Sequence, residues 1–165
     1  MKYLKGRLIK FVIEKRRLPN GYVTNLEIIQ HPGAALVIPF LDKDRIVFIK
    51  QFRPVINAYL YELPAGTLGK DEKPVDCARR EIVEEIGYAA GRLTKMGMIY
   101  PVPGYSTEII FIFKAEDLKK KSLRADPDEI IQACVLNKAR FKTLFKKGQI
   151  ADAKTICALA FCGWL

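Results

Sequence analysis

Histidine is almost missing from this sequence, with His31 the only one in 165 residues, and the four cysteines at 77, 134, 157 and 162 form no C-x-x-C pair. A Cys/His zinc site needs closely spaced ligands of those types, so that class is excluded and free cytosolic thiols are expected. Long apolar runs are lacking as well. The longest uncharged one, Ala34 to Leu41, falls far below the ~20 residues of a membrane-spanning helix, and no apolar h-region follows the basic start Met1-Lys2-Tyr3-Leu4-Lys5. The expectation is a cytoplasmic protein with no membrane partner. There is no internal repeat and no low-complexity stretch. Acidic residues are the minority sign, 18 against 28 Lys and Arg, for a net charge of +10. Such a field attracts polyanions: phosphorylated metabolites, nucleic acid or an acidic partner.

What is present suffices for one core, since half of the residues are hydrophobic and the length is that of about one domain. Alternating apolar positions over 3–17 and the β-branched run Tyr22 to Gln30 predict two or more N-terminal strands around the turn Pro19-Asn20-Gly21. Ala34 to Leu41 and Ile46 to Phe52, separated by Asp42-Lys43-Asp44, read as a hairpin. Val75, Ala78, Ile82 and Ile86 recur at helical spacing between Pro74 and Gly87, which predicts a helix over Pro74 to Ile86. Strands are expected at Leu93 to Tyr100, Glu108 to Lys114 and Ile130 to Leu136, and helices near Asn137 to Lys147 and Ala153 to Phe161. Lys119-Lys120-Lys121 reads as a solvated loop. Helices interleaved with strands give an α/β class, a mixed sheet covered by helices.

On the Pro74 helix, Glu81, Glu84 and Glu85 occupy neighbouring positions of one surface, where like charges repel. Arg79 and Arg80 offer a bland compensation through helical pairs such as Arg80 with Glu84. The wider spacing argues for more. Gly66, Glu72, Arg80-Glu81, Glu84-Glu85 and Gly87 fill all seven fixed positions of G-x5-E-x7-R-E-U-x-E-E-x-G-U, U being apolar, with Tyr88 at the last position where an aliphatic residue is commoner. At ordinary residue frequencies a chance match arises about once in 10⁸–10⁹ windows. This pattern resembles the signature of the Nudix hydrolases. Carboxylates on a rigid helix suit a hard divalent cation, which can neutralise a diphosphate.

The resemblance implies an α/β/α sandwich, a mixed sheet between helices, with a small N-terminal antiparallel β segment over residues 1–30 and the Nudix domain over 31–165. It implies Glu81, Glu84, Glu85 and the carbonyl of Ala65 as metal ligands, for Mg²⁺ with Mn²⁺ as a substitute. Arg80 would orient the carboxylates, Glu72 would brace the loop, and Gly66 and Gly87 complete the motif. Gln51-Phe52-Arg53, the segment Tyr61 to Gly66, the segment Pro103 to Glu108, and Pro103 fifteen residues beyond Tyr88 resemble the ADP-ribose pyrophosphatase group. The implied activity is hydrolysis of ADP-ribose to AMP and ribose 5-phosphate, with Arg53, Glu62, Glu108 and Tyr22 binding substrate and Glu84 and Glu85 serving catalysis.

The general base implied is Glu129, with Asp126 and Asp128 as alternatives in the same acidic stretch. The rival readings are another nucleoside diphosphate derivative, such as a nucleotide sugar or 5′-triphosphate RNA, and a non-catalytic Nudix-like binding module. Against RNA, the seven basic residues of Lys2 to Arg17 suit a solvated sheet face at least as well, and no RNA-binding motif accompanies them. The expected partners are a nucleoside diphosphate-linked small molecule and a second copy of the chain in a homodimer, with nucleic acid disfavoured.

Overall fold

The computed structural model describes residues 2–122 and 130–165. Three β-layers and three α-helices are built from it. The N-terminal sheet runs β1 (Lys2–Lys5), β2 (Lys10–Arg17), β3 (Val23–Gln30), antiparallel throughout. A mixed four-stranded sheet has the order β7-β4-β9-β8, from β4 (Ala34–Pro39), β7 (Ala65–Thr67), β8 (Tyr88–Ile99) and β9 (Ile110–Lys120). A third sheet has the order β10-β5-β6, from β5 (Arg45–Arg53), β6 (Ala58–Glu62) and β10 (Ile131–Asn137).

Period-two alternation along the central strands sorts their side chains into two cores. Leu36, Ile38, Phe48 and Ile112 face one side with Phe141, Leu144, Leu159 and Trp164. Ala35, Val37, Val47, Ile49 and Phe113 face the other, against Cys77, Ala78, Ile82 and Ile86. The helix α1 (Pro74–Ile86) covers the second core, while α2 (Lys138–Lys146) and α3 (Ala153–Phe161) cover the first. This is the expected α/β/α arrangement. No helix among the described residues is long and apolar enough to cross a membrane.

The start and stop signals of α1 act as read. Pro74 opens it, where a missing N–H costs nothing, and Gly87 closes it in the left-handed region at φ 68° with its N–H on the Val83 carbonyl. The helix α3 is capped by Asp152, whose Oδ2 accepts the Thr155 N–H at 3.0 Å.

Two expectations fail. The strands β4 and β5 are not a hairpin: only a Phe40–Ile46 bridge joins them, because β4 pairs with β7 and with the distant β9 while β5 pairs with β6 and β10. All six β4 residues are buried, and such a strand takes its partners from tertiary packing rather than from the nearest turn. Lys119 and Lys120 are not loop but the end of β9, paired with Ala89 and Tyr88. The long β8 partner extends the ladder past the apolar part of β9, so charged residues continue a strand whose backbone is already held.

The N-terminal segment forms three strands, with the 3–17 stretch broken at a turn where the Gly6 N–H meets the Ile9 carbonyl. It is tied to the body at Ile29, whose N–H donates to Tyr105 O at 2.7 Å and whose carbonyl accepts from Thr107 N at 3.0 Å.

Candidate active site

The loop and helix of the Gly66 to Tyr88 motif fold onto each other through carboxylates. Glu81 and Glu85 are buried, at 8% and 5% exposure, so the solvated-face reading of the acidic helix surface does not describe them. The Ala65 N–H donates to Glu85 Oε2 at 3.0 Å. Gly66 lies so close to Glu81 that a Cβ placed on it would fall 1.7 Å from Oε1, which explains a glycine whose φ is unremarkable.

Arg80 gathers three acids. Its Nε and Nη2 donate to Glu72 at 3.0 and 3.1 Å, and its Nη1 donates to Glu81 at 2.5 Å and to Glu84 at 2.9 Å. The hydrogen bond from Arg80 holds the Glu72 carboxyl below its usual range, and Glu72 raises the Arg80 guanidinium in return. Glu72 also accepts the Gly69 N–H at 2.8 Å, closing the loop.

Cys77, beneath this loop, is fully buried and its thiol is pushed up to about 12 by burial and by the nearby Glu81 and Glu72 charges. It stays protonated, its Sγ lying 3.5 Å from Gly66 O and 3.7 Å from Thr67 O, and offers no nucleophile.

The donor set around Glu81, Glu84 and Glu85 is wholly oxygen, which fits a hard divalent cation, and the absent Cβ of Gly66 keeps the Glu81 carboxylate in place. Among the described residues no three His, Cys, Asp or Glu side chains already converge at ion-binding spacing. Glu81 and Glu84 share Arg80 Nη1, and Glu85 accepts from the Ala65 N–H.

A cleft of about 350 Å3 opens over the same loop, lined by Ala65, Gly66 and Thr67 together with Arg53, Glu108, Asp152 and Lys154. Arg53 reaches it through a fork on Glu62, with Nε to Oε1 at 2.7 Å and Nη2 to Oε2 at 2.6 Å. Glu62 is 1% exposed and also accepts from Lys154, which in turn donates to Asp152 at 2.9 Å. Burial alone would raise the Glu62 carboxyl, but the hydrogen-bonded Arg53 and Lys154 overcome it and hold the group below its ordinary value. A depressed folded-state value contributes stability that is present above the unfolded value of 4.5 and is lost as pH falls through the folded one. Glu62→Gln is therefore expected to cost about 1–3 kcal/mol at neutral pH. In urea titrations the gap from wild type should close as pH falls below the unfolded value of 4.5 and through the lower folded-state one. A gap independent of pH would contradict the ion-pair account.

These elements decide the family. Residues 30–159 match the family model described as the NUDIX domain. The chain belongs to the Nudix hydrolase family. It is 36% identical over 158 residues to the ADP-ribose pyrophosphatase of Bacillus subtilis (strain 168), covering 94% of this chain and 85% of that one. The methanol dehydrogenase activator of Bacillus methanolicus is 34% identical with the same coverage. A GDP-mannose pyrophosphatase of Citrobacter koseri (strain ATCC BAA-895 / CDC 4225-83 / SGSC4696) is 33% identical over 138 residues, covering 78% of this chain and 72% of that one. A solved structure described as an ADP compounds hydrolase superposes with a TM-score of 0.82 at 22% identity, covering 97% and 87% of the two chains, and shows the same fold.

In this Nudix chain the sequence-predicted residues divide into groups. Ala65, Gly66, Glu72, Arg80, Glu81, Glu84 and Glu85 are brought together by the loop and α1, and Arg53 and Glu108 join Ala65 and Gly66 around the cleft, with Glu62 behind Arg53. Tyr22 is not brought there. It sits exposed just before β3, about 23 Å of extended chain away from the Ile29 tie to the body, seven steps of ~3.3 Å. Glu129, Asp126 and Asp128 lie outside the described residues. Asp152 and Lys154 are additions, since only the fold shows that the start of α3 borders the cleft. A larger hollow of about 670 Å3 near the C-terminus, lined by Phe40, Lys114 and Trp164 among others, contains none of the predicted residues.

Proposed function

We propose that this Nudix chain hydrolyses the diphosphate bond of ADP-ribose to give AMP and ribose 5-phosphate, with Mg²⁺ as the working ion and Mn²⁺ able to replace it. One observation carries the reading: Ala65 and Gly66 of β7 border the cleft and at the same time lie against the buried Glu85 and Glu81. A diphosphate in that cleft lies between the acidic helix and the Arg53–Lys154 pair. Glu81, Glu84, Glu85 and the Ala65 carbonyl are assigned as the ligands, and the bound ion would draw charge off the diphosphate oxygens. Arg80 would position the carboxylates of Glu81 and Glu84, which it holds through Nη1, for an ion bound there. Arg53 is oriented by Glu62 through Nε and Nη2, which leaves Nη1 for a phosphate oxygen. Glu108 is assigned to the substrate as well.

The choice of ADP-ribose rests on the Bacillus subtilis relative, which matches nearly the whole chain, whereas the Citrobacter koseri GDP-mannose pyrophosphatase matches less of it. The test is a panel of ADP-ribose, GDP-mannose, dinucleotides and 5′-triphosphate RNA with Mg²⁺, read as released phosphate-containing products. Preference for GDP-mannose would move the substrate and keep the chemistry. No turnover of any member would favour a non-catalytic binding module.

For the attacking water, Glu129 is assigned as proton acceptor. Glu129→Gln should lower kcat while KM and metal affinity stay unchanged, as for an interaction made in the transition state. An unchanged kcat would pass the role to Asp126, Asp128 or Glu108.

Residues 1–30 are assigned to dimerisation and to the partner's substrate pocket. In support, among the residues whose burial is described, the N-terminal sheet buries only Val12 and Ile28, while Leu4 and Val23 on it and Leu8 and Ile9 in its first turn are exposed, a poor arrangement for a sheet in water. A second copy would also give exposed Tyr22 a base to stack on. Light scattering should return twice the chain mass. A monomer active at nanomolar concentration would refute the assignment.

A further inference from the structure

Between Ile131 and Ile150 the chain carries five Lys or Arg and no Asp or Glu. All five fall on α2 and the residue after it: Lys138, Arg140, Lys142, Lys146 and Lys147. Elsewhere several cations are held by acids in their own neighbourhood. On the equally basic N-terminal sheet Arg16 forks onto Glu14, and on β9 Lys114 and across it Arg92 share Glu116. Arg140, Lys142, Lys146 and Lys147 are exposed and enter none of the ion pairs among the described residues.

The placement works against the helix. Lys138 and Arg140 stand in the first turn, at the positive end of the dipole and with no acid there to offset them, and Lys142 and Lys146 are like charges four residues apart. Only Lys146 and Lys147 gain from the dipole. Fold stability therefore does not explain the set, and an anionic partner would turn each of these costs into a gain.

The apolar side of α2 is not available to a lipid phase, because Phe141 and Leu144 are buried in the core. One aromatic is half available. Phe145 is 37% exposed, with its ring stacked on Phe141 at 5.9 Å and an interplanar angle of 21°, so it presents a rigid and partly open ring beside Lys142 and Lys146. Unpaired cations tracking a short helix, small Ala139 and Thr143 between them, and one held aromatic are the parts of a single-strand nucleic-acid surface: phosphates to the cations and an unstacked base to the ring.

We propose that the exposed face of α2 docks single-stranded nucleic acid without sequence preference, phosphates lying on Arg140, Lys142, Lys146 and Lys147 and a base on Phe145. None of these residues lines the cleft, so the surface is separate from the proposed hydrolytic site.

The test is fluorescence anisotropy of labelled oligo(U) and oligo(dT) with the full chain, repeated over a salt series and read directly as binding, so that it does not depend on which substrate is hydrolysed. Binding should weaken at least about tenfold in Lys142→Glu/Lys146→Glu. The slope of log affinity against log salt should fall by roughly 0.7 for each phosphate that the variant no longer neutralises. Phe145→Leu, which keeps the inward packing and removes the ring, should weaken binding about fivefold or more. Hydrolysis by these variants should stay at wild type, and each should still melt cooperatively as a folded protein. Failure to bind near physiological salt overturns the proposal. So does binding that survives the α2 substitutions but is lost in Arg16→Glu/Arg17→Glu, which would move the surface to the N-terminal sheet. Binding to vesicles of anionic lipid with none to oligonucleotide would overturn it in favour of a membrane.

Discussion

Glu85→Gln is expected to lower kcat by about 10²–10³ with the fold intact, the usual loss when preorganised charge is removed from the reacting centre. The substitution is unusually clean. Glu85 accepts the Ala65 N–H through Oε2, and a glutamine carbonyl can accept the same bond, so what is lost is charge rather than loop geometry. Glu81→Gln should show a fall of the same order, together with a looser Arg80, whose Nη1 loses an ionised partner at 2.5 Å. Steady-state kinetics with Mg²⁺ titration, alongside thermal melting, separates the outcomes. A Glu85→Gln enzyme as fast as wild type, or full activity in EDTA, would remove Glu85 and the ion from the chemistry.

The second large effect comes from a methyl group. Gly66→Ala should lower kcat/KM by about 10², because a displacement of around 1 Å at a reacting centre costs that much. Unlike Gly87, Gly66 does not occupy the left-handed region, so alanine suits its backbone. The whole effect is the collision: the new Cβ would stand 1.7 Å from Glu81 Oε1 and 1.9 Å from its Cδ, and one of them must move. Gly69→Ala is the matched control in the same loop. There the added Cβ meets Glu72 Oε2 at 3.4 Å, an ordinary van der Waals separation, and activity should stay near wild type. Wild-type kcat/KM in Gly66→Ala would mean that the Glu81 carboxylate need not stay where it is.

Local signals are readable in the sequence and non-local ones are not. The bounds of α1 and α3 follow from Pro74, Gly87 and the Asp152 cap, each acting within one turn of its own position. The hairpin reading of β4 and β5 uses the same kind of local turn logic and fails, since the partner of Ala34 is Ile110. The short strands β6 and β7 leave no clear signal because three to five residues carry too little periodicity, and β7 holds a glycine besides. At the site, the motif spacing identifies the acids on α1 and the loop before it. Charge alone cannot say that Arg53, Glu62, Lys154 and Asp152 form one connected chain, which depends on β5, β6 and the start of α3 meeting. Glu84 shows the limit of grouping by helix face: with its side chain 36% exposed it is far wetter than Glu81 and Glu85, a difference set by what packs above α1.

The parallel pairing of β4 with β9 has a consequence for synthesis. Ala34 must wait for Ile110, and at about 5–20 residues per second the intervening chain takes about 4–15 s to emerge from the ribosome. During that interval the fully apolar β4 can gain its short antiparallel neighbour β7 on one edge once Thr67 has emerged, and has nothing native on the other. An unpaired hydrophobic strand of this kind is a substrate for chaperone holding and a seed for aggregation. Overexpression without matching chaperone capacity should therefore yield inclusion bodies formed from nascent chains, and slowing translation downstream of Thr67 should worsen the yield of soluble protein rather than improve it.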